Sequence, residues 1–209
     1  MIVLPDINFE KSLTPAGCRF LLGIDEVGRG PWAGPVSIGA FLLDLESFDL
    51  DLFTKLKVRD SKLLKVKDRQ YIFNQFQSFG FDYQIFSKTA HEIDHLGLQI
   101  AINQSIQLAV DTYQNKADFV LIDGNMKLDL SIPYVNIISG DQKCFSIAAA
   151  AICAKVTRDL EMIQCHELYP QYNFISNKGY GTRQHQASLK IHGPCPIHRR
   201  SFKPVKLYS

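Results

Sequence analysis

Two short apolar runs that each end on an aspartate constrain this chain more than any other feature. Residues 20–25 read FLLGID and residues 117–123 read ADFVLID. Runs this short and apolar are read as buried strands. A strand finishing on a carboxylate delivers that group to the end of the sheet where open α/β folds place their ligands. Residues 36–43 predict a second strand, after a turn punctuated by Gly28, Gly30, Pro31, Gly34 and Pro35. Residues 81–87 and 134–138 predict two more. Between the strands lie segments of helical period. The spacing predicts a helix over 65–79 with Ile72, Phe76 and Phe79 on one face. It predicts another over 97–115, where Leu98, Ile102, Ile106, Ala109 and Tyr113 recur every three or four residues. A third runs from about 146 to 166, with Ala149, Ile152, Val156, Leu160 and Ile163 in line. Strands interleaved with long helices predict an α/β architecture, a sheet covered by helices. From residue 177 onward Gly, Pro and basic residues dominate, which predicts an irregular tail or a small helical cap.

With 209 residues, 46% of them hydrophobic, the chain can bury one sizeable core. We therefore expect one domain over 1–209, its C-terminal extension starting near residue 177. The net charge is only +2, so a nucleic-acid role has to rest on local patches and not on bulk charge. The five cysteines, Cys18, Cys144, Cys153, Cys165 and Cys195, are odd in number and form no CxxC pair, as in a reducing compartment. No basic segment followed by an apolar run opens the chain, and no apolar stretch is long enough to span a bilayer. The expectation is a soluble, cytoplasmic protein.

The acids that could carry chemistry are Asp25 and Glu26, Asp123, and Asp141 before the alanine-rich helix. A divalent metal is the physical reason to gather carboxylates: Mg²⁺ and Mn²⁺ take oxygen ligands and retain waters, and without a cation the acids repel. Each also has a plain structural reading. Asp123 before Gly124 and Asn125 can start a turn, and Asp141 can favour the helix N-terminus. Neighbours on a regular strand face opposite ways, so Asp25 and Glu26 share a site only if the strand ends there. Gly28-Arg29-Gly30 lets backbone amides approach a phosphate or sugar, or is an ordinary turn; it is neither a dinucleotide fingerprint nor a P-loop. Asp60-Ser61-Lys62 reads as a helix cap with an exposed lysine. Tyr180, among glycines and beside Lys178, suits stacking on a sugar or base, though loop tyrosines are common. His192, Cys195 and His198 have zinc-like spacing but flanking prolines and no fourth ligand. His198, Arg199, Arg200 and Lys203 form a basic cluster, read either as a solvated tail or as a phosphate contact.

Six blocks occur in order: GIDEVGRGPWAGPV at 23–36, DSKLL at 60–64, LIDGN at 121–125, GDQKCFSIAAAAICAKVTRD at 140–159, KGYGT at 178–182 and HGPCPIHRRSFKPV at 192–205. Over residues 20–205 the chain closely resembles ribonuclease HII, the type 2 ribonuclease H family. The resemblance implies a ribonuclease H-like fold, a central mixed sheet flanked by helices with a C-terminal helical extension. It implies an endoribonuclease that hydrolyses the phosphodiester 5′ to ribonucleotides, in RNA/DNA hybrids and at single ribonucleotides within duplex DNA. Two metal ions, Mn²⁺ or Mg²⁺, would act, leaving 3′-hydroxyl and 5′-phosphate ends. Asp25, Glu26, Asp123 and Asp141 are then the catalytic, metal-binding acids; Asp159, inside the long helix, competes for the fourth place and is set aside as too far from the strand ends. Gly28, Arg29 and Gly30 match the motif that grips the ribonucleotide, Tyr180 the junction-reading tyrosine, and Lys62 a residue near substrate phosphate. The sister family, ribonuclease HIII, usually replaces Arg29 and adds an N-terminal domain, for which some 20 residues before the first strand are too few. We expect a monomer that binds RNA/DNA hybrid and ribonucleotide-containing duplex and no membrane, with no clear sliding-clamp peptide in residues 206–209. Two other classes meet part of the pattern. A non-enzymatic hybrid-binding protein would not need four acids facing a polyanion, and a carboxylate-pair glycosidase would not explain Gly28-Arg29-Gly30, Lys62 or the HRRSF segment.

Overall fold

The computed structural model describes residues 5–208. Short, largely apolar runs build β1 (Phe20–Val27), β2 (Val36–Asp44) and β4 (Phe119–Asp123), and half-buried segments build β3 (Tyr83–Lys88) and β5 (Tyr134–Ile137). They form one sheet in the order β3-β2-β1-β4-β5. The β1–β2 and β2–β3 pairs are antiparallel, while β4 runs parallel to β1 and β5 parallel to β4. The helices are α1 (Ile7–Leu13), α2 (Leu50–Leu56), α3 (Val66–Ser78), α4 (Ala90–Leu96), α5 (Leu98–Tyr113), α6 (Phe145–Leu168), α7 (Phe174–Asn177), α8 (Arg183–His192) and α9 (Lys203–Lys206).

Both faces of the sheet are covered. Leu21, Phe41, Leu43, Phe119 and Leu121 pack on one side with α2, α3 and α6. Leu22, Ile24, Val36, Ile38, Ala40, Val120 and Ile122 pack on the other with Ala101, Ile102, Ile106, Ala109 and Tyr113 of α5. The alanines of α6 let that helix lie unusually close to the strands. A side chain on Gly23 would collide with the backbone at Ser146, and one on Gly39 with the carbonyl of Ala150. That contact sets where the N-terminus of α6 meets the sheet.

The predicted helices form, with shifted faces. Phe79 lies beyond the end of α3 and is 54% exposed; Phe73 is buried in its stead. Leu160 is 45% exposed, because past Val156 the helix α6 leaves the sheet and turns Met162 toward the C-terminal extension. There Ala33, Met162, Tyr172, Phe174, Leu189 and Cys195 form a small separate core, so the extension is an ordered helical cap. The short helices α1, α2 and α4 have too few turns to show a period, although Thr89 and Glu92 form a capping box on α4.

The first of these short helices fastens the longest. Glu10 is fully buried, and its carboxylate accepts the N–H groups of Phe145 (2.8 Å) and Ser146 (2.9 Å) and the Ser146 hydroxyl. It caps α6, whose own N-cap, Cys144, supplies no side-chain acceptor. Glu10→Ala would strand buried donors and should lower unfolding free energy in urea by about 1–3 kcal/mol. Burial raises the Glu10 pKa from 4.5 to about 7, against the pull of the Ser146 and Phe145 donors. The stability this group contributes is thus complete below pH 4.5 and lost as pH rises through about 7. Between those values the wild type should lose stability relative to Glu10→Gln; a constant difference would refute the assignment.

Candidate active site

The register of the sheet explains how neighbouring acids reach one place. Pairing of β1 with β4 stops at Ile24–Ile122, whereas β1 stays paired with β2 as far as Val27–Ser37. Beyond Ile24 the strand β1 therefore has an open edge, and Asp25 and Asp123 follow the last paired residues on the two strands. Asp25 is on the α6 side and only 6% exposed. Glu26 lines a cleft of about 380 Å³ together with Arg29, Gln99 and Asn103 of α5, and Asp123 through Lys127. The pair does face opposite ways; the missing neighbour at the edge lets both look onto Asp123. Asp141 is buried on a short 3₁₀ turn, Gly140–Gln142, ahead of α6. The Gly140 N–H donates to Asp123 Oδ1 at 2.6 Å and ties that turn to the end of β4.

These four carboxylates act on one another. Burial, then the charges of Asp123, Glu26 and Asp141, push the Asp25 pKa well above the usual carboxylate range, with one N–H bond from Glu26 pulling it back. Glu26 is raised by burial and by Asp123, and Arg29 opposes this from 3.4 Å. Burial also raises Asp141, opposed by the Lys62 ammonium 3.3 Å away. Lys62 is raised in turn, because Asp141 and Asp25 outweigh the burial that disfavours its charge. Asp159 is absent from the main charges acting on Asp25. It is paired with Lys155 at 2.7 Å and with Arg69 at 4.0 Å.

Oxygen-only donors that repel one another fit a hard divalent cation that keeps part of its water shell. Among the described residues no three acidic, histidine or cysteine side chains close into a compact cage. The acids form an open set, with Lys62 and Arg29 holding Asp141 and Glu26 as a metal ion would.

Beside the acids, Gly28 adopts φ +93°, and any side chain there would strike Arg158 and the Pro35 carbonyl. Arg29 is exposed and reaches Glu26 and, at 3.3 Å, Gln99 Oε1. A methyl group on Gly30 would lie 3.7 Å from Tyr180 Cε1, so residues 150 positions apart in sequence form one surface. Tyr180 is 42% exposed. Lys62 extends into solvent from a 3₁₀ turn capped by Asp60 Oδ1, which accepts the Lys62 N–H at 2.8 Å.

Two arginines that sequence patterns did not single out for this task hold the loop. Arg199 is fully buried and donates to the carbonyls of Gly28, Arg29 (3.2 Å) and Gly34 (3.0 Å). Arg158, equally buried, donates to Pro35 (2.9 Å), Lys178 (3.1 Å) and Ala33 (3.2 Å). The reading of the basic cluster as solvated tail or phosphate contact is therefore wrong for His198 and Arg199, both of which lie inside. Burial, then the neighbouring charge of Arg158, lowers the Arg199 pKa to about 9. Of the zinc-like trio, Cys195 Sγ lies 3.1 Å from His198 Nδ1, while His192 is exposed. The second nitrogen of His198 meets His185 at 2.9 Å.

The family model for ribonuclease HII matches residues 22–205. A ribonuclease HII of Caldanaerobacter subterraneus is 39% identical over 194 residues, covering 93% of this chain and 78% of that protein. Among solved structures, ribonuclease H2 from Pyrococcus horikoshii superposes with a TM-score of 0.76 at 24% identity, covering 90% of this chain and 96% of the other. Bst-RNase HIII in complex with Mn²⁺ gives 0.72 at 17% identity, covering 92% and 70%. Both share the mixed sheet flanked by helices.

Proposed function

The chain belongs to the ribonuclease HII family, a family of ribonuclease H enzymes, and from that premise we propose that it cuts the phosphodiester 5′ to ribonucleotides. Its substrates would be RNA/DNA hybrids and duplex DNA carrying a single ribonucleotide, and the ends left a 3′-hydroxyl and a 5′-phosphate. The observation carrying this reading is the convergence of four mutually repelling acids at one open sheet edge, beside a glycine-lined grip for a nucleotide. Asp25, Glu26, Asp123 and Asp141 would hold two divalent ions, Mn²⁺ or Mg²⁺. When bound, such ions supply Lewis acidity that lowers the pKa of water and steadies the leaving oxygen.

The protein's own groups do the rest. Lys62 sits where it can exchange Asp141 for a substrate phosphate. The small residues Gly28 and Gly30 allow the backbone to approach the ribose, and Arg29 adds a charge-assisted contact. Contact with the 2′-hydroxyl separates RNA from DNA. The decisive assay is nicking of a DNA duplex with one embedded ribonucleotide, with and without EDTA, followed by end analysis. Cleavage that survives EDTA, or a duplex bound but never cut, would overturn the proposal.

Tyr180 would stack on the deoxyribose that follows the ribose, where a further 2′-hydroxyl would crowd the ring. Losing a stacking contribution of about 1–3 kcal/mol weakens transition-state binding roughly five- to 150-fold. Tyr180→Ala should therefore depress kcat/KM on a single-ribonucleotide duplex far more than on a long hybrid, and Tyr180→Phe should retain more. An unchanged ratio between the two substrates rules Tyr180 out as the junction reader.

A further inference from the structure

Behind the Tyr180 loop, a buried chain of hydrogen bonds has only one possible direction. The Cys195 backbone N–H, which can only donate, points at His198 Nδ1 from 3.0 Å. A neutral His198 therefore carries its proton on Nε2, which faces His185 Nε2 at 2.9 Å. His185 must accept there and carry its own proton on Nδ1. That nitrogen lies 2.9 Å from the carbonyl oxygen of Tyr180, which can only accept. Donors and acceptors thus alternate from residue 195 to residue 180, and the Cys195 thiol, 3.1 Å from the same His198 Nδ1, can only add a second, weaker donor there.

The surroundings keep both rings neutral and fixed. Both histidines are buried, at 0% and 1% exposure. Burial lowers the His185 pKa, and burial, then the neighbouring His185, lowers that of His198 to about 4. Tyr172 stands edge-on to His198 with centroids 4.8 Å apart, and Phe174 edge-on to His185 at 5.5 Å. Trp32 tilts against His185 at 5.7 Å. The backbone N–H of the same Trp32 donates to the Gly179 carbonyl at 2.8 Å, so the loop is docked on the Gly28–Gly34 turn just before Tyr180. The Tyr180 carbonyl is then held by His185 and by the Thr182 N–H at 2.8 Å.

We propose that His185 and His198 are positioning residues for substrate discrimination: their relay from the Cys195 amide to the Tyr180 carbonyl fixes the tyrosine ring beside Gly30. Neither histidine touches substrate. Their effect is to restrict the rotation of a half-exposed loop residue, so that the ring offers one face at one height above the ribose grip. The inference rests on the reading of Tyr180 as the residue that senses the nucleotide after the ribose.

Asparagine and glutamine amides separate the two ends of the relay. His185→Asn places an N–H donor near the former Nδ1 and keeps the Tyr180 contact, while His185→Gln reaches toward His198 and gives that contact up. The readout is the ratio of kcat/KM on a single-ribonucleotide duplex to that on a long hybrid. His185→Gln should lower this ratio by about three- to tenfold, the worth of one hydrogen bond. His185→Asn should lower it less than His185→Gln, because the Tyr180 contact survives and only its support from His198 is lost. In a Tyr180→Ala background His185→Gln should change the ratio no further, because the ring it positions is gone. A merely structural histidine would lower both activities together and leave the ratio alone, and that result refutes the inference. If Tyr180→Ala itself leaves the ratio unmoved, it is the reading of Tyr180 that fails. A measurement on the wild type does not depend on how the variants fold. ¹⁵N NMR of the imidazoles should show His185 protonated at Nδ1 and His198 at Nε2, both neutral from pH 6 to 8. The opposite tautomers, or an imidazolium in that range, would overturn the relay.

Discussion

Asp25→Asn and Asp123→Asn are each expected to abolish cleavage while leaving the protein folded. Both residues stand at the place where β1 and β4 cease to pair, and Asp123 adds to the charge that raises Asp25 and Glu26. An asparagine keeps the shape and one oxygen but loses the charge that would hold a divalent ion. Metal activation is worth several kcal/mol, and each 1.36 kcal/mol is tenfold in rate, so a loss of about three orders of magnitude or more should follow. Stability should move the other way or not at all. Asp25 is buried among like charges, and removing its charge relieves repulsion. Metal-free binding of substrate should be unchanged or tighter, because the polyanion then meets fewer acids. Near-normal cleavage by either purified variant at saturating Mg²⁺ and Mn²⁺ would sink the assignment.

The second large effect is expected at Arg199, and it should appear in fold and activity together. Its guanidinium spreads three nitrogens over three carbonyls, those of Gly28, Arg29 and Gly34. Arg199→Met would leave those acceptors buried without a donor, at a cost on the order of 3 kcal/mol, and would free the turn that presents Arg29. Arg199→Lys keeps the charge but has a single nitrogen, which cannot serve carbonyls fanned around a planar fork. Both variants should lose urea stability and most cleavage on the single-ribonucleotide duplex. If lysine restores activity to within a few-fold of wild type, positive charge matters at this position and the fork does not.

The acids were legible in sequence because a buried strand ending in a carboxylate breaks the apolar pattern at a definable place. FLLGID and ADFVLID mark Asp25 and Asp123 by contrast with what precedes them. That Asp25 and Glu26 can share a site was not legible. It follows from β1–β4 pairing stopping at Ile24–Ile122 while β1 runs on to Val27, a fact of register between segments about a hundred residues apart. Arg199 shows the same limit from another side. Exposed and buried arginines look alike in a basic run, and only the three carbonyls that Arg199 binds decide which this one is. At Phe79 and Leu160 the helical period points inward because it continues in sequence after the helix has ended or left the sheet. Glu10 gave no signal at all, since its partners at Phe145 and Ser146 lie 135 and 136 residues away.

The turn that carries Arg29 is made early in synthesis and completed by a side chain made late. Chains emerge from the ribosome N-terminal end first, at about 5–20 residues per second. A nascent chain that has exposed β1, β4 and α6 already possesses its four acids, yet the turn proposed to grip the ribose stays untied until Arg199 emerges and folds back onto Gly28, Arg29 and Gly34. Truncated products ending before that arginine would then carry the four acids without the guanidinium that ties down the turn beside them.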